Sequence, residues 1–353
     1  MLIKILMPIL ILSMITSACS SQSLADVSAI ATNTPILTST VELAQDAETT
    51  PDQAPSETPT NSPSPSPTET ATPQATNTLP PSPTTSPVRA MSDAIIIDHT
   101  SIELFEKIPD DYIKAASELS MLFRHASVGF NMTLGLDCLM DVQPRRNSCD
   151  RGIPASERVH NTKYDWSNWT FEFHQPPPEQ NPGWYNKVSL FIDRIDSMAS
   201  SEKYDYAGFK FGYVDAVPGS EIEDQFFNYP NSPYPTIKAM EELQARHPDI
   251  TLIYWTIALG RAIGSQESDS FDQQLREYAK NHNHILMDIA AIESHTSDGQ
   301  PCFDNAGGGH EAICDEYTNE VNSGHLNALG SLRMAKAMWV LMARLAGWDG
   351  ISD

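Results

Sequence analysis

Positive charge is scarce in this chain: 22 Lys and Arg stand against 46 Asp and Glu, for a formal net charge of −24 over 353 residues. That deficit argues against nucleic acid and anionic lipid headgroups as partners, because both are bound chiefly through Lys and Arg. Long hydrophobic runs are missing too. Ile5–Ile15 is apolar but too short to span a bilayer stably, and no second segment is long enough to cross one. No Gly-rich phosphate loop, dinucleotide fingerprint or basic stripe occurs, so nothing points to a nucleotide. Cysteine is sparse, with five residues and no Cys-x-x-Cys pair, which makes a zinc site a weak reading.

What is present begins with an export signal over residues 1–18, a thin positive start at Lys4 followed by the apolar run. Thr16-Ser-Ala-Cys19 then resembles a bacterial lipobox, which implies that Cys19 is acylated and becomes the mature N-terminus; Thr16 departs from the usual Leu. With plain secretion Cys19 would remain a leftover thiol. Residues 19–90 are rich in Thr, Pro, Ser and Ala, as in Asn61-Ser-Pro-Ser-Pro-Ser-Pro-Thr68. Such a segment has too little apolar surface to offset its ordering entropy and reads as a solvated spacer. It holds seven acids against one base, Arg89, so most of the acidic excess belongs to the domain that follows, residues 91–353.

In that domain the four remaining cysteines, Cys138, Cys149, Cys302 and Cys314, suggest two disulfides in an oxidising compartment. Of the three connectivities that four cysteines allow, the local one is expected, Cys138 with Cys149 and Cys302 with Cys314. Hydrophobic periodicity predicts strands at Met121–Arg124, Trp169–His174, Tyr206–Val214, Thr251–Leu259 and Ile285–Ile289. Helices are predicted at Asp110–Leu119, Val128–Met140, Lys187–Ala199, Pro235–Arg246, Phe271–Asn281 and Ala328–Leu345, with Asp93–Asp98 as an edge or lead-in. Strands alternating with helices imply an α/β domain, a three-layer α/β/α sandwich around a mostly parallel five-stranded sheet. Sites in such sheets collect at the carboxyl ends of the strands.

Two segments stand out at that edge. His125-Ala-Ser-Val-Gly129 follows the first main strand, and Asn322-Ser-Gly-His325 precedes the last helix. An early serine at a strand end and a late histidine before the final helix is the layout of an α/β esterase. The domain resembles the SGNH/GDSL hydrolase superfamily over roughly Leu119–Leu345, and in particular its divergent members with His-x-Ser-Val-Gly in place of Gly-Asp-Ser. That resemblance implies an SGNH-like, flavodoxin-like fold, Ser127 as nucleophile, His325 as general base, and a mechanism without cofactor or metal. It places Gly183, in Asn181-Pro-Gly-Trp184, as an oxyanion donor. In the third block, Lys210-Phe-Gly-Tyr-Val-Asp215, Gly212 matches, Asp215 aligns with the final acid, and Val214 stands where the family has an amide donor. Tyr213 could substitute through its hydroxyl or serve packing alone.

The family's Asp before the histidine is replaced by Asn322, an amide that can orient a ring but does not stabilise imidazolium. Three outcomes are open: another acid such as Asp315 or Glu316, a backbone carbonyl on His325, or a retired site. Trp166, Trp169 and Trp184 could stack on sugar, although large aromatics at strand positions more often pack in the core. Arg261 could meet an anionic substrate group or be a solvated rim charge, and His310 is weak support for a metal. The expected function is a lipid-anchored, exported esterase acting on a small-molecule or glycan ester, with O-acyl groups on carbohydrate as the first substrate to test. The alternative is a non-catalytic glycan-binding or adhesion lipoprotein on a degenerate hydrolase scaffold.

Overall fold

The computed structural model describes residues 93–140, 161–216, 222, 237–262, 266–304 and 308–351. The export signal, Cys19, the spacer and Cys149 lie outside these residues. The described chain falls within the unit Pro81–Asp353.

The strands are β1 (Ile95–Ile97), β2 (Met121–His125), β3 (Trp169–Phe173), β4 (Tyr206–Phe209), β5 (Thr251–Trp255) and β6 (Ile285–Met287). They form one sheet in the order β1-β6-β5-β4-β2-β3. Every pairing is parallel. The fold is thus α/β as expected, with six strands where five were counted, because the short Ile95–Ile97 piece pairs along β6. The helices are α1 (Asp110–Glu118), α2 (Val128–Met140), α3 (Trp184–Asp196), α4 (Ile237–Arg246), α5 (Gln266–Asn281), α6 (Ile289–Glu293) and α7 (Ala328–Leu345), with a 3-10 helix at His99–Lys107.

A parallel sheet needs cover on both faces, so its strands are largely apolar, with Arg124 and Glu172 paired to each other across β2 and β3. The pleat sends alternate residues to opposite sides. Met121, Phe123, Ile253, Trp255, Ile285 and Met287 join one core with α2 and α7. Leu122, Leu252, Tyr254 and Leu286 join the other, with α3, α4 and α5. These are the two interfaces of a three-layer sandwich. Trp169 and Trp184 are both buried, so they pack rather than present rings to a sugar. Within α7, Ala337 through Met342 are fully buried. A helix apolar on all sides is an interior helix, and this one anchors the loop before it. Gly135 lets α2 approach it closely: a Cβ there would sit 2.0 Å from the Ser331 carbonyl oxygen.

Cys302 and Cys314 form a disulfide, as expected. Cys138 is disulfide-bonded as well. Among the described residues no helix is long and apolar enough to cross a membrane.

Candidate active site

β2 ends at His125 and α2 begins at Val128, so Ser127 occupies the strand-to-helix turn. Its φ is +49°, in the left-handed region that non-glycine residues rarely adopt. Such a conformation costs about 1–3 kcal/mol and persists only where the surroundings impose it. The surroundings here are His125 and Gly129. His125 is buried, and a Cβ on Gly129 would fall 2.4 Å from the His125 Cβ and Cγ. The helix can start over that ring only with glycine at 129. Burial, then Lys210 and Arg124, push the His125 imidazole down to about 3. It is a neutral wedge under the turn and not a base. At the head of α2 the Gly129 N–H donates to the Ala126 carbonyl at 3.1 Å and the Phe130 N–H to the Ser127 carbonyl at 2.8 Å, which closes the turn around Ser127.

His325 comes to Ser127 from the loop before α7. Its Nε2 is hydrogen-bonded to Ser127 Oγ. Its Nδ1 lies 2.8 and 3.0 Å from the two carboxylate oxygens of Glu320. A carboxylate only accepts, so Nδ1 carries the hydrogen and Nε2 accepts from the serine. The His325 backbone N–H also donates to Glu320 Oε2 at 2.8 Å, and the Ser323 hydroxyl donates to the same oxygen. Burial lifts the Glu320 carboxyl, but the hydrogen bonds from Ser323 and His325 outweigh it and hold the group below the usual carboxylate range.

The loop is fixed by distant residues. Gly324 presses on the segment after β5, where a Cβ would meet the Leu259 carbonyl oxygen at 1.9 Å. Arg261 N–H donates to the Ser323 carbonyl at 3.2 Å. Thr318 Oγ1 donates to the His325 carbonyl at 2.7 Å. Leu326 N–H donates to Asn131 Oδ1 on α2 at 3.2 Å, tying the His325 loop to the helix that follows Ser127. Asn327 caps α7 by accepting from Gly330 N–H.

The carboxylate on the ring is therefore Glu320 and not Asn322, whose place three residues before His325 the sequence motif favours. Neither of the substitutes named from sequence fills the role. Asp315 pairs with Arg261 at 2.5 Å, and Glu316 accepts from Ser297 N–H at 2.7 Å. Arg261 is itself buried, donating to the Ile313 carbonyl at 2.7 Å, so it is a staple for this loop rather than a rim charge or a substrate contact. His310 bonds Asp269 at 2.9 Å. Among the described residues no group of three or more His, Cys, Asp or Glu could hold a metal.

A small pocket opens at Ser127, lined also by Asn181, Lys187, Lys210, Tyr213 and Val214. Gly183 caps α3 and accepts from the Asn186 and Lys187 N–H groups. It is absent from the pocket wall; Asn181, two residues earlier, stands there with an amide that can donate. Tyr213 lies edge-on to the His325 ring at 6.4 Å between centroids. Val214 is 55% exposed and offers no donor. Asp215 is buried; it pairs with Lys187 and accepts from Gly212 N–H at 2.6 Å, which closes the turn after β4.

The chain matches no family model and no curated protein.

Proposed function

We propose that the protein is a serine ester hydrolase of the SGNH type, exported and held at the cell envelope by a lipid on Cys19. One observation carries the reading: Ser127, His325 and Glu320 form an unbroken hydrogen-bonded relay, drawn from a strand-end turn and a loop nearly two hundred residues later. A serine hydroxyl becomes a competent nucleophile when a base takes its proton and an acid orients that base.

The chemistry runs in two halves. Ser127 Oγ attacks the ester carbonyl carbon as its proton passes to His325 Nε2, and Glu320 stabilises the imidazolium. The Ser127 N–H at the head of α2 and the Asn181 amide are the donors offered to the tetrahedral oxyanion. Collapse breaks the bond to the alcohol, which leaves with the proton from His325. Water then attacks the acyl-serine, gives its proton to His325, and the acid departs as Ser127 Oγ is reprotonated. Carbohydrate O-acyl groups are the substrate to test first, a choice resting on family analogy and the expected tether. A degenerate binding scaffold rests on Asn322 and Val214; the Glu320 carboxylate on His325 answers the first of these, and Val214 still offers no side-chain donor.

The test is covalent. A fluorophosphonate should label the wild-type protein at Ser127 and should not label Ser127→Ala, and p-nitrophenyl acetate turnover should fall to background in the same variant. Labelling elsewhere, or equal turnover by both proteins, contradicts the reading.

A further inference from the structure

The pocket at Ser127 has a charge opposite to that of the chain. The protein carries 46 acids against 22 bases, yet the pocket wall holds two lysines and no acid. Both lysines are almost wholly buried, Lys187 at 1% and Lys210 at 2% exposure. Lysine is rarely buried without a partner, because desolvating an ammonium is costly. Lys187 has one in Asp215. Lys210 is different: its Nζ has a long 3.4 Å hydrogen bond to the Phe211 carbonyl, and no ion pair joins it to a carboxylate among the described residues.

Its buried neighbours are already paired or neutral. Arg124 is ion-paired with Glu172 at 2.8 Å, and burial together with the neighbouring cations holds the His125 and His174 imidazoles well below their ordinary value, so both rings are neutral. Neither ring nitrogen of His174 has a hydrogen-bond partner among the described residues. Two acids answer Lys210 electrostatically: Glu293, itself fully buried, whose carboxyl burial lifts to about 8, and Asp215, which is already paired with Lys187. Burial and Lys187 push Lys210 down to about 8.

Resting on the hydrolase reading, we infer that this pocket is an anion subsite: Lys210, with Lys187 beside it, receives a carboxylate that the substrate carries close to its scissile ester. The pocket is small, which suits a compact group such as the free end of a dicarboxylic half-ester. A carboxylate on the alcohol side, as on an acidic sugar, offers the same chemistry. In a site of low dielectric an ammonium–carboxylate contact outweighs its exposed counterpart.

The experiment compares phenyl acetate, phenyl hydrogen succinate and 3-acetoxybenzoate, with uncatalysed rates subtracted. One anionic ester should be preferred in kcat/KM by at least about tenfold, the scale of a hydrogen bond to a charged group, and its identity tells which side bears the carboxylate. In Lys210→Met that preference should collapse toward unity, chiefly through KM. Lys187 is the poorer target, because its removal leaves Asp215 buried and unpaired. Equal use of all three esters by the wild type, or a Lys210→Met loss that falls alike on neutral and anionic esters, overturns the inference. A second measurement needs no variant: at constant ionic strength succinate should slow fluorophosphonate labelling of Ser127 and dimethyl succinate should not; equal effects count against the subsite. If Ser127 takes no label at all, the hydrolase reading fails by itself. Calorimetric titration with succinate then decides the subsite, and no heat of binding removes it.

Discussion

The turn that carries Ser127 is shaped by its immediate neighbours, whereas the loop that carries His325 is shaped by residues as distant as Asn131 and Leu259. In the first, His125, Ser127 and Gly129 suffice: a buried ring, a left-handed residue, and a glycine that lets the helix begin over the ring. In the second, the polar groups of Glu320, Ser323 and His325 converge only because Gly324 sits against the backbone after β5. A five-residue motif can encode the first arrangement. The second depends on tertiary contacts, so the carboxylate that meets the His325 ring can sit at a position that a motif spacing does not reach.

Among substitutions that disturb only the packing of the two regions, the largest effect should come from breaking the distant contact. Gly324→Ala places a Cβ 1.9 Å from the Leu259 carbonyl oxygen, and backbone cannot rotate away. The loop must shift, and a misplacement of about 1 Å can cost about a hundredfold in kcat; ester turnover with the circular dichroism spectrum held as control checks it. Gly129→Ala should cost less, since the clash is with the His125 side chain; about 1–3 kcal/mol of stability is expected from overpacking, read by urea unfolding. Asn131→Ala removes the acceptor that joins the two regions. It should cost about 1 kcal/mol, with a fall in kcat of a few-fold at most.

A pH slope tests the nucleophile turn separately. Burial first, then Lys210 and Arg124, lower His125 from 6.5 to about 3 in the folded protein. Between those values only the unfolded chain takes up the proton, so stability falls as pH falls through that window, by about 1.4 kcal/mol per pH unit. Other buried groups also titrate, so the quantity to measure is the difference: between pH 6.5 and 4.5, wild type should lose more stability than His125→Gln. Parallel curves would show that the ring is not a buried neutral wedge.

Much of the frame was legible. The apolar run at Met121, the small-residue turn and the pattern of Ala328–Leu345 give β2, α2 and α7 nearly as found, since packing and propensity agree there. Four strands end earlier than periodicity predicts, while β2 runs one residue further, to His125. Tyr206–Val214 shrinks to Tyr206–Phe209, because Lys210–Asp215 leaves the sheet to build the pocket, and periodicity does not distinguish a buried strand from the buried loop that continues it. The helix predicted from Lys187 starts at Trp184, whose turn buries Lys187 beside the pocket. Nothing in the pattern marks a lysine as buried, so both pocket lysines escaped a reading of hydrophobic spacing. Glu320 escaped for another reason. It lies five residues before His325 rather than three, and only the fold of Ser323-Gly324 brings its carboxylate back to the ring. The available signal was the group of acids Asp315, Glu316 and Glu320 in one short loop, which narrows the choice without making it.

The most direct test of that relay is kcat for ester hydrolysis in Glu320→Gln beside Asn322→Ala. Replacing the orienting carboxylate of a serine triad by its amide can cost about ten-thousandfold. Glu320→Gln should show a loss of that order while Asn322→Ala stays within about threefold of wild type, both labelled and folded. The reverse ranking, or a Glu320→Gln enzyme with undiminished kcat, would contradict the account.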